Sequence, residues 1–196
     1  MSYVCHFVYC KYRSFDQYET NILTNFNIMA FIRTTTINKL LKMTARKKIV
    51  QGGTSAGKTY GIVPILIDKA IKKPRQVITV VAETLPAVKT GALRIFFQVM
   101  EETGRWNEDN WNASNLTYTF SNKTIIEFKS FDTEGKAKNG GKRQILFLNE
   151  ANHIDETIAD VLMIRSEEIW IDFNPDAKFW VHTMHEDPNE DTEFIK

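Results

Sequence analysis

Ile49-Val50-Gln51-Gly52-Gly53-Thr54-Ser55-Ala56-Gly57-Lys58-Thr59 is the stretch whose reading decides the fold. Residues 52–59 fit the pattern G-x-x-x-x-G-K-[ST] without a mismatch, and the fit has a physical basis. Gly52, Gly53 and Gly57 let the backbone wrap closely around phosphates, with the amides of Thr54, Ser55 and Ala56 pointing inward. Lys58 then sets a charge on the β/γ-phosphates, and the Thr59 hydroxyl binds Mg²⁺. A short β-branched run precedes the glycines and a helical pattern follows from Lys58. The helix adds its N-terminal partial charge and free amides to the cradle.

Short apolar runs alternate with amphipathic ones on the C-terminal side of this loop. Ile62, Ile65, Leu66 and Ala70 recur at helical spacing over residues 58–73, with Pro64 as a kink. Residues 76–82 (QVITVVA) are continuous and β-branched, as a strand buried on both faces requires. Leu85, Val88, Ala92, Ile95, Phe96 and Val99 form one helical stripe that stops near Gly104. A polar loop is expected over 105–115. Alternation at Leu116, Tyr118 and Phe120, a Ser-Asn-Lys turn and alternation at Ile126 and Phe128 predict a hairpin. Residues 145–148 read as a third buried strand and 169–173 as a fourth, with a helix marked by Ile154, Ile158, Val161 and Leu162 between them. Such alternation implies βαβ units: an α/β fold with an open, mostly parallel sheet, helices on both faces and one antiparallel hairpin.

Composition narrows the alternatives. The 196 residues suit one domain, and a 43% apolar share can fill its core. Lys and Arg total 25 against 24 Asp and Glu, a net charge of +1, so gross positive charge cannot drive nucleic-acid binding. No apolar run reaches the ~20 residues that span a bilayer, which argues against a membrane protein. Two cysteines, Cys5 and Cys10, make no disulfide framework and suit a reducing cytosol. With His6 they match no common zinc spacing. Residues 1–28 are expected to be an N-terminal extension, dispensable or read through from a wrong start codon.

Hydrolytic chemistry is expected from the end of the third strand, Ile145-Leu146-Phe147-Leu148-Asn149-Glu150. Four apolar residues leading to polar ones resemble a Walker B strand, in which Asp holds the Mg²⁺ shell and Glu polarises the attacking water. Asn149 replaces that Asp: it keeps an acceptor oxygen for the metal's shell but gives up a full charge. Glu150 keeps the base. The fourth strand ends in Asn174-Pro175, and Asn174 is placed to sense the γ-phosphate.

VQGGTSAGKT, a hairpin, ILFLNEAN and WIDFNPDAKFWVH, in that order, resemble the N-terminal ATPase domain of a tailed-phage terminase large subunit over roughly residues 31–185. The resemblance implies a RecA-like (ASCE) P-loop NTPase with its catalytic Glu on a strand beside the P-loop strand. It implies ATP and Mg²⁺ as cofactors, and a motor that drives viral DNA into the bacteriophage capsid. By it, Lys58 and Thr59 are Walker A residues, Asn149 and Glu150 Walker B, and Asn174 the coupling-motif residue. Implied partners are double-stranded DNA, a homo-oligomeric ring on the capsid portal and the terminase small subunit. The implied setting is the cytoplasm of the infected bacterial host, with no membrane.

Three departures from the family pattern bear on the chemistry. Thr54 stands where many terminases carry a P-loop Arg, so the charge on the γ-phosphate must be met from elsewhere. Asn149 stands for Asp. Full-length terminases continue into a nuclease domain with clustered carboxylates, whereas the late acids here, Glu186, Asp187, Glu190, Asp191 and Glu193, lie in one polar run. Residues 29–185 are therefore expected to be the ATPase domain and 186–196 an acidic linker toward a missing nuclease domain, with no nuclease activity from this chain. A basic loop, Lys136, Lys138, Lys142 and Arg143, precedes the Walker B strand, and Arg143 is the first candidate for an arginine finger acting on a neighbour's ATP. Two other readings remain open: another P-loop nucleic-acid translocase, and a nucleotide-binding assembly module without turnover.

Overall fold

The structure is a computed structural model that describes residues 35–53, 57–187 and 190–196. The N-terminal extension, residues 1–28, and the P-loop residues Thr54, Ser55 and Ala56 lie outside the described residues. A short helix α1 (Thr35–Leu40) leads into the P-loop strand β1 (Lys47–Gln51) and then α2 (Lys58–Lys72). Next come β2 (Val77–Val81), α3 (Leu85–Val88) and α4 (Arg94–Glu102), followed by β3 (Trp111–Asn112), β4 (Thr117–Thr119) and β5 (Ile125–Lys129). After α5 (Glu134–Asn139) run β6 (Arg143–Leu148), α6 (Glu156–Ile164), β7 (Ser166–Phe173), α7 (Trp180–Glu186) and β8 (Thr192–Ile195).

All eight strands form one sheet in the order β3-β4-β5-β2-β6-β7-β1-β8. From β5 to β8 every pairing is parallel, and β4 pairs antiparallel with both β3 and β5. The four central strands β2, β6, β7 and β1 are buried along most of their length on both faces, the pattern that parallel sheets produce. Side-chain alternation along β7 sorts them. Ile169, Ile171 and Phe173 pack with α6 and α7 through Ala159, Leu162 and Val181. Glu168, Trp170 and Asp172 point to the opposite face, where α2 lies, as the contacts of Lys69 with Glu168 and Thr59 with Asp172 establish. One helix thus touches one strand at both its ends, through Thr59 in the first turn and Lys69 in the last.

Several expectations change. The stripe of residues 85–99 is not one straight helix: a π-helical turn over Lys89–Leu93 joins α3 to α4 around Gly91, whose φ of −95° and ψ of −106° are not helical. The loop expected at 105–115 contains β3, where Trp111 pairs with Tyr118 and packs its ring 5.0 Å from that of Phe97. Residues 186–196 are not a free linker. β8 pairs with β1 in parallel register, and its acids are engaged: Glu193 accepts from the Thr44 amide at 2.9 Å, Asp191 from the Arg46 amide, and Glu190 from Lys47. Finally, β7 lies between β1 and β6, so the strand that carries Glu150 is one removed from the P-loop strand.

Candidate nucleotide site

Because β1, β6 and β7 run parallel, their carboxyl ends reach the same edge of the sheet, the usual place for a ligand in an open α/β fold. Three segments leave the sheet there: the P-loop after Gln51, Asn149-Glu150 after Leu148, and Asn174-Pro175 after Phe173.

Gly57 precedes α2 with φ +70° and ψ +19°, a left-handed conformation that favours glycine. It turns the chain so that Lys58 and Thr59 open the helix. Lys58 is buried, and its ammonium donates to the carbonyls of Gly52 (2.6 Å) and Gly53 (3.0 Å) and to Asn174 Oδ1 (2.9 Å). The Walker lysine and the expected sensor residue are therefore in direct contact. A phosphate arriving at Lys58 would compete with Asn174 for the same three protons.

The second centre is a residue that the motifs did not single out. Asp172, fully buried on β7, accepts from Thr59 Oγ1 at 2.8 Å, from Asn149 Nδ2 at 3.0 and 3.2 Å, and from the Glu150 amide at 2.7 Å. Burial pushes its carboxyl above the usual range, against the pull of Asn149, the Glu150 amide, Thr59 and Lys58. A lone acid within the apolar run IWIDF of a central strand is itself a sequence signal, because such a group is seldom buried without partners.

Asn149 does not sit as expected. Its amide NH₂ faces Asp172 and Thr59, since a carboxylate can only accept, and its Oδ1 lies on the other side, beside Gly91. A Cβ at Gly91 would come within 3.1 Å of that oxygen. The oxygen that was to replace the Walker B carboxylate therefore turns away from Thr59, and a different carboxylate stands against that hydroxyl.

Glu150 is exposed at the mouth of this edge, held in a left-handed conformation with φ +56° and ψ +52°. For a non-glycine residue that conformation costs ~1–3 kcal/mol, and the bond from its amide to Asp172 helps to hold it. The backbone of the expected general base is thus fixed by a strained conformation and by a buried carboxylate together.

Arg143 does not lie at this edge, and its burial stands against the role expected of it, an arginine finger reaching a neighbour's ATP. It opens β6 at the opposite edge of the sheet, five residues and roughly 17 Å before Leu148. Only 1% of it is exposed, and its guanidinium donates to the carbonyls of Gly140 and Gly141. Nor does the basic loop form a free cationic patch: Lys136 pairs with Asp132 and Lys138 with Glu134, one helical turn back in each case.

For Mg²⁺ the donor chemistry fits. The Thr59 hydroxyl and the Asp172 carboxylate are hard oxygen ligands 2.8 Å apart, and magnesium takes one or two carboxylates plus substrate phosphates. Among the described residues no group of three or more His, Cys, Asp and Glu is placed to hold a metal, so the late acids and His182 with His185 form no such centre.

Residues 44–194 match the family model of the phage terminase large subunit. The chain belongs to that family. No curated protein matches it, but solved structures do. The large terminase of a thermophilic bacteriophage superposes with a TM-score of 0.63 at 12% identity, over 88% of this chain and 44% of that one. The large terminase ATPase domain of Thermus phage P74-26 gives 0.64 at 17% identity, over 86% and 82%. The thermophilic bacteriophage's large terminase in complex with ATP-gamma-S gives 0.60 at 14% identity, over 88% and 43%. At these identities the likeness is one of fold: the terminase ATPase-domain fold, a RecA-like α/β sheet. This terminase chain spans 44% of the length of the thermophilic bacteriophage's protein.

Proposed function

We propose that this terminase chain hydrolyses ATP at the edge formed by the P-loop, Asn149-Glu150 and Asn174, and that turnover drives viral DNA into a capsid. The observation that carries the reading is the meeting of Lys58, Thr59, Glu150 and Asn174 at the carboxyl ends of three parallel strands within a family-matched fold. In this account the P-loop amides and Lys58 hold the β/γ-phosphates. Glu150 accepts a proton from water as its oxygen attacks Pγ; the β–γ bridging bond breaks, and ADP leaves with those electrons. When bound, Mg²⁺ neutralises charge on the β- and γ-oxygens, and Thr59 is the P-loop residue that would hold it. Loss of Lys58 to the γ-phosphate would release Asn174, linking nucleotide state to the segment after β7.

Double-stranded DNA, a homo-oligomeric ring on the capsid portal and the terminase small subunit are the proposed partners, and the infected host's cytoplasm the proposed setting. Among the described residues no helix is long and apolar enough to cross a membrane. Thr54 adds no cation to the P-loop, so the charge developing on the γ-phosphate is proposed to be met by a cation from a neighbouring subunit, and Arg143 is too buried to be that cation. Arg94, exposed at the start of α4 and three residues on from Gly91, which lies beside Asn149 Oδ1, is a candidate for that donor.

Steady-state ATP hydrolysis with and without double-stranded DNA tests the function. A motor hydrolyses ATP faster with DNA present, and Lys58→Ala abolishes the activity. Tight ATP binding with no turnover under either condition would instead identify a nucleotide-binding assembly module.

A further inference from the structure

In a P-loop ATPase the carboxylate that helps the P-loop threonine hold Mg²⁺ is expected at the end of the Walker B strand, here β6. That position is Asn149, and its amide oxygen faces Gly91 rather than Thr59. The carboxylate in contact with Thr59 Oγ1 is Asp172, on the neighbouring strand β7. Residues 149 and 172 touch, with Asn149 Nδ2 3.0 Å from Asp172 Oδ1. Two carboxylates at that separation cannot both ionise readily, whereas an amide facing a carboxylate donates to it. The neutral residue on β6 and the acid on β7 are therefore parts of one arrangement.

We propose that the acidic half of the metal site has moved one strand: Asp172, not residue 149, supplies the carboxylate that acts with Thr59 on the metal of the metal–nucleotide complex, and Asn149 is the neutral donor that positions it. The inference rests on the reading of the P-loop edge as a nucleotide site. Geometry favours it over a merely structural role for Asp172. Of its partners, Thr59 is the residue that the P-loop motif assigns to the metal, and the Glu150 amide aims the proposed base. A purely structural acid near the end of a strand would have no reason to sit on both. Burial alone makes an anion there costly. A cation arriving beside Thr59 would give that anion a further, closely placed counter-charge.

The test measures Mn²⁺ binding in the presence of ADP, from the loss of the free-ion electron paramagnetic resonance signal. It is paired with ADP binding in excess chelator, which reads the P-loop without metal. Asp172→Asn should weaken Mn²⁺ binding ~10–100-fold, the usual effect of disturbing a metal's supporting ligands, while metal-free ADP affinity stays within about twofold. Asp172→Ser removes the charge but leaves a hydroxyl to accept from the Glu150 amide; it gives the same loss if Asp172→Asn does not fold. The exchange variant Asn149→Asp/Asp172→Asn, with the acid returned to β6, should recover most of the Mn²⁺ affinity. Mn²⁺ affinity within twofold of wild type in a folded Asp172 variant overturns the proposal and leaves the nucleotide site standing. Failure of the wild-type chain to bind ADP at all overturns the nucleotide site, and the proposal with it.

Discussion

Glu168 and Asp172 occupy the same face of β7, and both are acids under a helix, yet their surroundings differ in kind. Asp172 meets neutral donors and a threonine. Glu168 instead lies between two cations, accepting from Lys69 at 2.7 Å, from Trp170 Nε1 at 2.7 Å, and pairing with Lys48 at 3.3 Å. Burial alone would raise its carboxyl, but Lys69, Lys48 and the indole outweigh that and hold it below the usual range. An acid whose folded-state value is depressed contributes stability above its unfolded value, near 4.5, and loses it as pH falls through the folded value. Glu168→Gln should therefore be less stable than wild type at pH 7, with the gap closing below about pH 4.5. Urea denaturation midpoints between pH 7 and pH 3 measure it, and a gap independent of pH would contradict the assignment. The two acids also divide what sequence reading could see. Lys58, Thr59 and Glu150 were legible because their motifs fix type and spacing. Asp172 was not, because its role comes from a neighbouring strand: only the β6–β7 register brings residue 172 against residue 149.

At the scale of elements, α2 carries the site at one end and is anchored at the other. Its 15 residues span roughly 22 Å, from Thr59 in the first turn to Lys72 in the last. At the far end Asn122, in the turn between β4 and β5, donates to the carbonyls of Ala70 (2.8 Å) and Ile71 (2.9 Å) and accepts from the Thr124 amide. These are helix-terminal carbonyls with no partner inside the helix. Asn122→Ala should cost about 1–2 kcal/mol of stability, seen as a lower denaturation midpoint, with nucleotide affinity unchanged because the P-loop lies at the other end. Reduced ADP affinity in that variant would mean that the hairpin governs the loop. The hairpin and the four buried strands were legible because period-2 alternation and continuous apolar runs are strong local signals. The two outer strands were not. β3 is two residues long and holds its place by aromatic packing of Trp111 on Phe97, and β8 is a half-buried edge strand among acids that looks like a solvated run until Lys47 and the Arg46 amide are set beside it.

On the scale of the whole molecule, the sheet order places the P-loop strand between β7 and β8, flanked by parallel neighbours on both sides. The strand holding the phosphate loop is thus internal, and β8 covers the edge that would otherwise be exposed. The arrangement of Lys58, Thr59 and Asp172 is then a consequence of register across three strands and one helix. It underlies the proposed division of labour within the site: the P-loop binds, the β7 acid acts with Thr59 on the metal, and Glu150, exposed at the mouth, takes the proton. Single-turnover ATP hydrolysis by Glu150→Gln, with ATP binding measured on the same preparation, tests that division most directly. Unchanged ATP binding is expected, with hydrolysis slowed ~10²–10⁴-fold, the contribution of a positioned general base. A rate close to that of wild type would contradict it and place the base elsewhere.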